Sequence, residues 1–182
     1  IVFIVDTLDD RARSPEELQA ELNLPTLATI GILDEEEEFE DGVGLETTHM
    51  WNTSDDAAAE SFRTIRTVLV MGTEDSERIA VTSAEPSDGK TTISSNLAIA
   101  YQQAGKRVLI IDADMRKPGL TKLIDRRGQV GLSDILRGTD AVAEQASSLA
   151  TETGSVPIDI IPAGRRPPNP GELLLGDRFA EL

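Results

Sequence analysis

The clearest pattern of apolar and polar positions lies between residues 79 and 111. Residues 79–83 form a short, mostly apolar and β-branched run, which predicts a strand. After a polar loop, side chains suited to a core recur at helical spacing, at Ile93, Leu97, Ala100, Tyr101 and Ala104. Gly105 then suits a helix C-cap, and residues 108–111 are all apolar, as in a strand buried on both faces.

Three further helices are predicted from their start signals. Ser14, Pro15 and Glu17 combine the spacing of a capping box with proline at the first helical position. A longer helix is predicted from residue 55 to about residue 70, with Ser54 as its N-cap. A third begins near residue 170, and its apparent N-cap, first and third positions are Asn169, Pro170 and Glu172.

The long helix has two distinct faces. Phe62, Ile65 and Leu69 share one apolar face at helical spacing. Beside it runs a slanting charged ridge with residues three apart, at Glu60, Arg63 and Arg66. Pairing of Glu60 with Arg63 within the helix would contribute only about 0.2–0.5 kcal/mol, so this pair alone would stabilise the helix very little.

Charge divides the chain unevenly. The net charge is −16, but residues 1–60 hold 17 acidic and 2 basic side chains, whereas the remainder holds 16 and 15. Residues 35–41 are almost entirely acidic and predict a solvated linker. We therefore divide the chain into residues 1–53, an acidic linker with a short helix, and residues 54–182, a globular domain. The near-neutral second part has no basic stripe, which weighs against duplex DNA as a partner.

Composition sets further bounds. At 182 residues with 39% hydrophobic and 3% aromatic content, the chain can build one core, filled mainly by aliphatic side chains. It has no cysteine, so disulfides are excluded. The sequence opens on an apolar pentad, residues 1–5, followed by acidic residues. The pentad fits either the end of a membrane helix or a small strand.

The loop between the first strand and the helix carries the first candidate chemistry. Its sequence, AEPSDGKT, fits a phosphate-binding loop with alanine in place of the first glycine. Such loops turn backbone N–H groups toward phosphate oxygens at a helix N-terminus. The candidate nucleotide-binding residues are Ala84, Glu85, Pro86, Ser87, Asp88, Gly89, Lys90, Thr91 and Thr92. Lys90 would reach the β and γ phosphates, and the Thr91 hydroxyl would bind Mg²⁺.

The second candidate feature is the pair of carboxylates that ends the second strand. Alternation along an extended chain places Asp112 and Asp114 on the same side. Ligands of open α/β sheets bind beyond the carboxyl ends of the strands. Two carboxylates beside a phosphate loop predict a Mg²⁺ or catalytic role, and we predict that Lys90, Asp112 and Asp114 carry the chemistry.

Together these features resemble the Walker A and Walker A′ motifs of the deviant P-loop ATPases. Partitioning, division-site and iron-protein members carry a lysine early in the loop, where this chain has Glu85. The loop SAEPSDGKT is instead similar to the SAxPxEGK[ST] of bacterial tyrosine kinases, with Asp88 for Glu. The segments DMRKP, GLSDILRG and IIPAGRRPPNPGELL are also similar to segments of that family, in the same order.

The resemblance implies a three-layer α/β P-loop NTPase fold with a mainly parallel sheet. It implies an ATP- and Mg²⁺-dependent protein-tyrosine kinase that phosphorylates neighbouring copies and controls exopolysaccharide or capsule synthesis. Residues 60–66 match the family's ExxRxxR oligomerisation motif, so Glu60, Arg63 and Arg66 are expected to contact the next subunit of a ring. The resemblance also implies a preceding chain-length-determinant domain with two membrane helices, which would make this chain the cytoplasmic part of an inner-membrane protein.

Two family features are expected beyond Leu182, namely the Walker B aspartate strand and the C-terminal tyrosine cluster. We therefore expect this stretch alone to be a truncated, weak or inactive kinase, with Tyr101 as a core residue rather than an acceptor. A partitioning- or division-site-type ATPase switch is the alternative, against which Glu85 argues. A polysaccharide-assembly adaptor without phosphoryl transfer is a third class, and the retained Lys90, Asp112 and Asp114 argue against it.

Overall fold

In this computed structural model, the described residues are 14–31, 33, 44–45, 48–53, 55–72, 78–138 and 158–181. The acidic run at residues 35–41, the apolar pentad and Ser54 lie outside them. No helix within the described ranges is long and apolar enough to cross a membrane.

Eight helices and two strands occur in the described part of the chain. In chain order they are α1 Pro15–Leu22, α2 His49–Asn52, α3 Ala57–Gly72, α4 Lys90–Gln103, β1 Val108–Ile111, α5 Gly119–Leu123, α6 Leu132–Arg137, β2 Ile158–Ile161, α7 Pro170–Leu175 and α8 Asp177–Ala180.

The two strands form a parallel pair. Val108 lies opposite Ile158, and the pairing continues to Ile111 and Ile161. The Asp112 N–H also donates to the Ile161 carbonyl at 3.0 Å, so the pairing extends one residue beyond β1. β1 is confirmed at its predicted position, whereas the sequence analysis did not identify β2. Parallel pairing brings the carboxyl ends of both strands to the same edge.

Residues 79–83 do not form the predicted strand. Within the described residues this segment has no ladder partner, and Ile79 is exposed. A strand requires inter-strand hydrogen bonds, which an apolar run does not supply by itself. The prediction of a strand there was therefore wrong, although the segment still leads directly into the phosphate loop.

Apolar packing covers both faces of the strand pair. The main core joins α3 and α4 to one face through side chains including Phe62, Ile99, Ile110 and Ile158. A second cluster on α6 packs against Ile161 and neighbouring residues. Helices on both faces are the expected cover for a parallel sheet. Leu109 departs from the prediction of a strand buried on both faces, because its side chain is exposed.

The start and end signals of the helices are largely confirmed. The Ser14 hydroxyl accepts from the Glu17 N–H at 3.2 Å, at the beginning of α1. The C-cap of α4 is Ala104 rather than the predicted Gly105, which follows it with φ of 77°, the left-handed conformation common just past a helix end. Asn169 precedes Pro170 at the start of α7, but its amide contacts the Glu172 carboxylate instead of capping the backbone.

α3 begins two residues later than predicted. One of its first N–H groups is satisfied by Asp56, whose Oδ1 accepts from the Ala59 N–H at 2.8 Å. Asp56 Oδ2 also lies 2.8 Å from Nε2 of His49, to which the sequence assigned no role. The Ala59 N–H first, and the His49 ring second, lower the pKa of Asp56 below its usual range. The predicted apolar face is confirmed, with Phe62 and Ile65 buried and Leu69 half-buried.

Candidate nucleotide site

The phosphate loop turns sharply into α4. Ser87 and Gly89 have φ of 73° and 86°, and Gly89 is the residue immediately before the helix. A left-handed conformation costs little at glycine and reverses the direction of successive backbone groups. A Cβ added at Gly89 would meet no atom within 4 Å, so its backbone borders open space. The loop and the 14-residue α4 provide the N–H-rich helix start that favours an anion.

Side chains within the loop fix its shape. The Asp88 carboxylate accepts from the Glu85 N–H at 2.8 Å, and the Ser83 hydroxyl donates to the Glu85 carbonyl at 2.7 Å. Lys90 Nζ donates to Ser83 Oγ at 2.8 Å and to the Glu85 carbonyl at 3.4 Å. The Lys90 ammonium therefore lies across the loop. All five residues from Ala84 to Asp88 are exposed.

Thr91 and Thr92 follow Lys90 in the first turn of α4. The Thr91 hydroxyl packs against Gly119, the first residue of α5, where any added Cβ would clash with it. Thr92 is exposed, and its carbonyl accepts from the Asn96 side chain at 2.8 Å. Asn96 Oδ1 in turn accepts from the Met50 N–H, so α2 is held against the same helix. Sequence reasoning missed Asn96, whose polar side chain is buried in an apolar core.

Asp112 is nearly buried, with 6% of its surface exposed. Its Oδ2 accepts from both the N–H and the hydroxyl of Thr121, at 2.8 and 2.7 Å. Its Oδ1 accepts from the Asp114 N–H at 3.2 Å. Burial raises the pKa of Asp112 above its usual range, and the Thr121 donors act in the opposite direction.

Asp114 lies in a turn rather than in the strand. Its Oδ1 accepts from the N–H groups of Arg116 and Lys117, at 3.2 and 2.9 Å, and it is half-buried. One carboxylate oxygen of Asp114 therefore shapes the DMRKP segment. The two aspartates are linked through the Asp114 backbone, but the structure gives them different surroundings.

The short helix α5 joins the two halves of the site. Gly119 contacts the Thr91 hydroxyl, and Thr121, two residues later, binds Asp112. The predicted phosphate-loop and strand-end residues therefore meet the same five-residue helix. Gly119 and Thr121 were not predicted, because their contacts join segments far apart in sequence and leave no local pattern.

The residues present fit an anionic nucleotide and a hard cation. The open backbone at Gly89, the helix start and the Lys90 ammonium suit phosphate oxygens. Thr91, Asp112 and Asp114 supply the oxygen donors that Mg²⁺ prefers. The described residues contain no cluster of three or more His, Cys, Asp or Glu side chains suited to a metal. Mg²⁺ beside phosphates needs only one or two protein carboxylates, so this finding agrees with the donor set.

The charged ridge of α3 divides into two parts. Glu60 and Arg63 form an ion pair at 3.1 Å on the surface. Arg66 instead turns toward its own subunit and donates to the Ala100 carbonyl in α4 at 2.7 Å. The three residues therefore do not form one surface unit in this chain.

Comparison with known proteins shows the class of this chain. Residues 79–162 match the nucleotide-binding domain family described as CobQ/CobB/MinD/ParA. A solved structure titled as the chimerical protein CapA2B2 aligns with a TM-score of 0.74 and 30% identity, covering 92% of this chain and 68% of that one. The chain is thus an α/β P-loop NTPase domain with a parallel sheet.

The family follows from the sequence relatives and a second structure. The tyrosine-protein kinase Wzc of Salmonella typhimurium is 43% identical over 129 residues, which cover 70% of this chain and 17% of that protein. The kinase domain of the Escherichia coli tyrosine kinase ETK aligns at 30% identity and a TM-score of 0.71, over 92% of this chain and 66% of that one. This chain belongs to the bacterial tyrosine-kinase family, and it spans only about a sixth of the length of the Salmonella relative.

Proposed function

We propose that this chain is the nucleotide-binding part of an ATP-dependent protein-tyrosine kinase. The observation that carries the proposal is the phosphate loop at the start of α4, joined through α5 to the buried Asp112 at the end of β1. The tyrosine-kinase names of the relatives support the choice of phosphoryl acceptor.

The proposal assigns tasks to the phosphate loop and to the two aspartates. Lys90 and the N–H groups of the loop hold and neutralise the phosphates, while Thr91 and Asp112 hold the accompanying cation. Bound ATP supplies the γ-phosphoryl group, and Mg²⁺ offsets its charge. Either Asp112 or Asp114 orients the attacking phenol or accepts its proton. Phosphoryl transfer depends mainly on positioning and charge stabilisation, which this arrangement offers.

The wider setting is part of the same proposal. We place the chain on the cytoplasmic side of a membrane, next to a chain-length-determinant domain, in exopolysaccharide or capsule synthesis. Copies would associate through α3 and phosphorylate one another. The support is the order of the family-like segments and the surface pair of Glu60 with Arg63.

The acceptor tyrosine is not within the site described here. Tyr101 is the single tyrosine of the sequence, and it packs against the main core from α4. Burial raises the pKa of its phenol above the usual range, and the nearby charge of Arg66 partly opposes this. We therefore expect little phosphotyrosine on this chain after incubation with Mg·ATP, and immunoblotting for phosphotyrosine checks it.

Nucleotide binding is the direct test of the site. Lys90→Met should weaken Mg·ATP binding, measured by calorimetry, by roughly tenfold to a hundredfold, because charge-assisted hydrogen bonds contribute about 1.5–3 kcal/mol. The matched control is Lys106→Met, which removes an exposed lysine after α4 and should leave the affinity unchanged. Equal affinity of the Lys90→Met variant and the unsubstituted chain would contradict the phosphate-loop assignment.

The alternative is an ATPase switch of the partitioning or division-site type, favoured by the family match over residues 79–162. In that class a lysine early in the loop acts across a dimer, whereas Glu85 here is exposed and uses its backbone to shape its own loop. Sedimentation velocity with and without Mg·ATP separates the two functions. Nucleotide-dependent dimerisation without phosphorylation of an added tyrosine peptide would favour the switch.

A further inference from the structure

Thr121 holds the Asp112 carboxylate with two hydrogen bonds. Its N–H and its hydroxyl both donate to Asp112 Oδ2, at 2.8 and 2.7 Å, and Thr121 is 1% exposed. Two donors from one buried residue fix both the position of Oδ2 and the rotation of the carboxylate. Oδ1 accepts only the longer bond from the Asp114 N–H among the bonds seen here, so it keeps more acceptor capacity.

The same hydroxyl connects the two strand ends. Thr121 Oγ1 accepts from the Ala163 N–H at 2.8 Å, just after β2, while it donates to Asp112, just after β1. A hydroxyl has one proton and can both donate and accept, so it serves both partners at once. A valine side chain has a similar shape but offers neither function.

Thr121 also lies on the element that contacts the phosphate loop. The first residue of α5, Gly119, packs against the Thr91 hydroxyl so closely that a Cβ would clash. α5 therefore contacts both the Thr91 hydroxyl and the Asp112 carboxylate. These are the two side chains assigned above to the cation.

We propose that Thr121 is a positioning residue for the cation that accompanies the nucleotide: by holding Asp112 Oδ2, it leaves Oδ1 as the metal-facing oxygen. This inference rests on the proposed nucleotide-binding function. Hydrogen-bonded partners of metal ligands commonly change metal affinity by about 10–100-fold when removed. Thr121 is 1% exposed and offers almost no surface to a nucleotide or an acceptor, so its effect should appear in the response to Mg²⁺.

The test compares hydroxyl removal with hydroxyl retention. A fluorescent ATP analogue is bound to the chain, first in EDTA and then during titration with Mg²⁺. Thr121→Val should raise the Mg²⁺ midpoint at least about tenfold, while metal-free nucleotide affinity stays within about twofold. Thr121→Ser keeps the hydroxyl and should stay within about threefold of the unsubstituted chain in both measurements.

Ser133→Ala is the matched control. Ser133 is another fully buried hydroxyl near the end of β2, and it donates to the Arg165 carbonyl at 2.6 Å. Its removal should lower thermal stability without moving the Mg²⁺ midpoint. A shift of the Mg²⁺ midpoint as large as that of Thr121→Val would mean that any loosening of this edge of the sheet weakens Mg²⁺ binding. That result would overturn the proposal.

Other outcomes are equally decisive. Equal losses of metal-free and Mg²⁺-dependent binding in Thr121→Val, or no loss in either, would overturn the positioning role. If Thr121→Val does not fold, Thr121→Ala against Thr121→Ser isolates the hydroxyl. Failure of both hydroxyl-free variants to fold would assign Thr121 to stability alone. An unsubstituted chain that binds no nucleotide contradicts the proposed function itself, and this is seen before any substitution is made.

Discussion

Two aspartates of this chain respond to burial and hydrogen bonding in opposite ways. Asp112 is nearly buried, and burial raises its pKa despite the Thr121 donors. Asp56 caps α3, and the Ala59 N–H and His49 hold its pKa down. A raised folded-state pKa favours folding at pH values low enough to protonate the group, and this contribution is lost as pH rises through that pKa. A lowered pKa gives the reverse dependence.

The expected result is a pair of opposite pH dependences in metal-free buffer. Relative to Asp112→Asn, the unsubstituted chain should gain stability as pH falls through the raised folded-state pKa toward about 4, the ordinary aspartate pKa. Relative to Asp56→Asn, it should lose stability as pH falls from about 5 through the lowered pKa. Urea unfolding monitored by circular dichroism at several pH values measures both differences. Parallel pH profiles for the two variants would contradict the assigned environments.

For individual residues, sequence reasoning identified those that lie at a characteristic position of a local motif. Lys90 and Thr91 follow a glycine at the start of a helix, and Asp112 ends an apolar strand. It could not find Thr121, because its partners lie 9 and 42 residues away along the chain. Asp56 could have been predicted as the N-cap of α3, since aspartate is a common N-cap residue. Ser54, also a common N-cap residue and two positions earlier, was chosen instead.

Among the elements, the contact of α3 with α4 includes a hydrogen bond from Arg66, which the family resemblance assigned to contact with a neighbouring subunit. Arg66 donates to the Ala100 carbonyl, close to the C-terminal end of α4, where carbonyl groups lack helical partners and a cation is favourable. Its guanidinium is therefore used within the subunit, whereas Glu60 remains exposed on the surface beside Arg63.

Arg66→Met should lower the free energy of unfolding by about 1–2 kcal/mol, because it removes a charge-assisted hydrogen bond but keeps most of the aliphatic stem. The control, Glu60→Gln on the same helix, should change stability by less than about 0.5 kcal/mol, as expected for an exposed ion pair. Thermal or urea denaturation compares the two. Suppose that Glu60→Gln destabilises the chain as much as Arg66→Met does. The conclusion that Arg66 stabilises the fold while Glu60 acts only on the surface would then be wrong.

Element prediction succeeded where the signal was local. α1 and α7 have their proline and cap residues in place, and β1 lies where the apolar run predicted. The helices α2, α5, α6 and α8 were not predicted, and all but α6 have five residues or fewer. The two errors about strands both concern sheet formation, since residues 79–83 were predicted as a strand and β2 was not. Pairing depends on a partner elsewhere in the chain, so an apolar run alone does not decide it. Leu109 shows the same limit of sequence-based prediction, because an apolar residue of a paired strand is exposed there instead of covered.

For the whole molecule, charge and self-association oppose each other. The chain carries a net charge of −16, most of it within residues 1–60, which include the beginning of α3. Two such chains about 40 Å apart would repel by on the order of 25 kcal/mol in unscreened water. A surface ion pair involving Glu60 or Arg63 contributes only about 0–1 kcal/mol, so repulsion dominates at low salt.

Association should therefore strengthen as salt rises. The screening length falls from about 30 Å at 0.01 M to about 10 Å at 0.1 M, which removes most of the long-range repulsion while contacts at the interface persist. Sedimentation equilibrium at about 0.02 and 0.3 M NaCl should show the higher association constant at the higher salt. Glu60→Gln changes the net charge by one unit, so the direction of the salt response should remain even if its association is weaker. Association that weakens steadily with salt would instead show that local ion pairs between copies outweigh the net charge, and would assign the charged surface of α3 a larger energetic role.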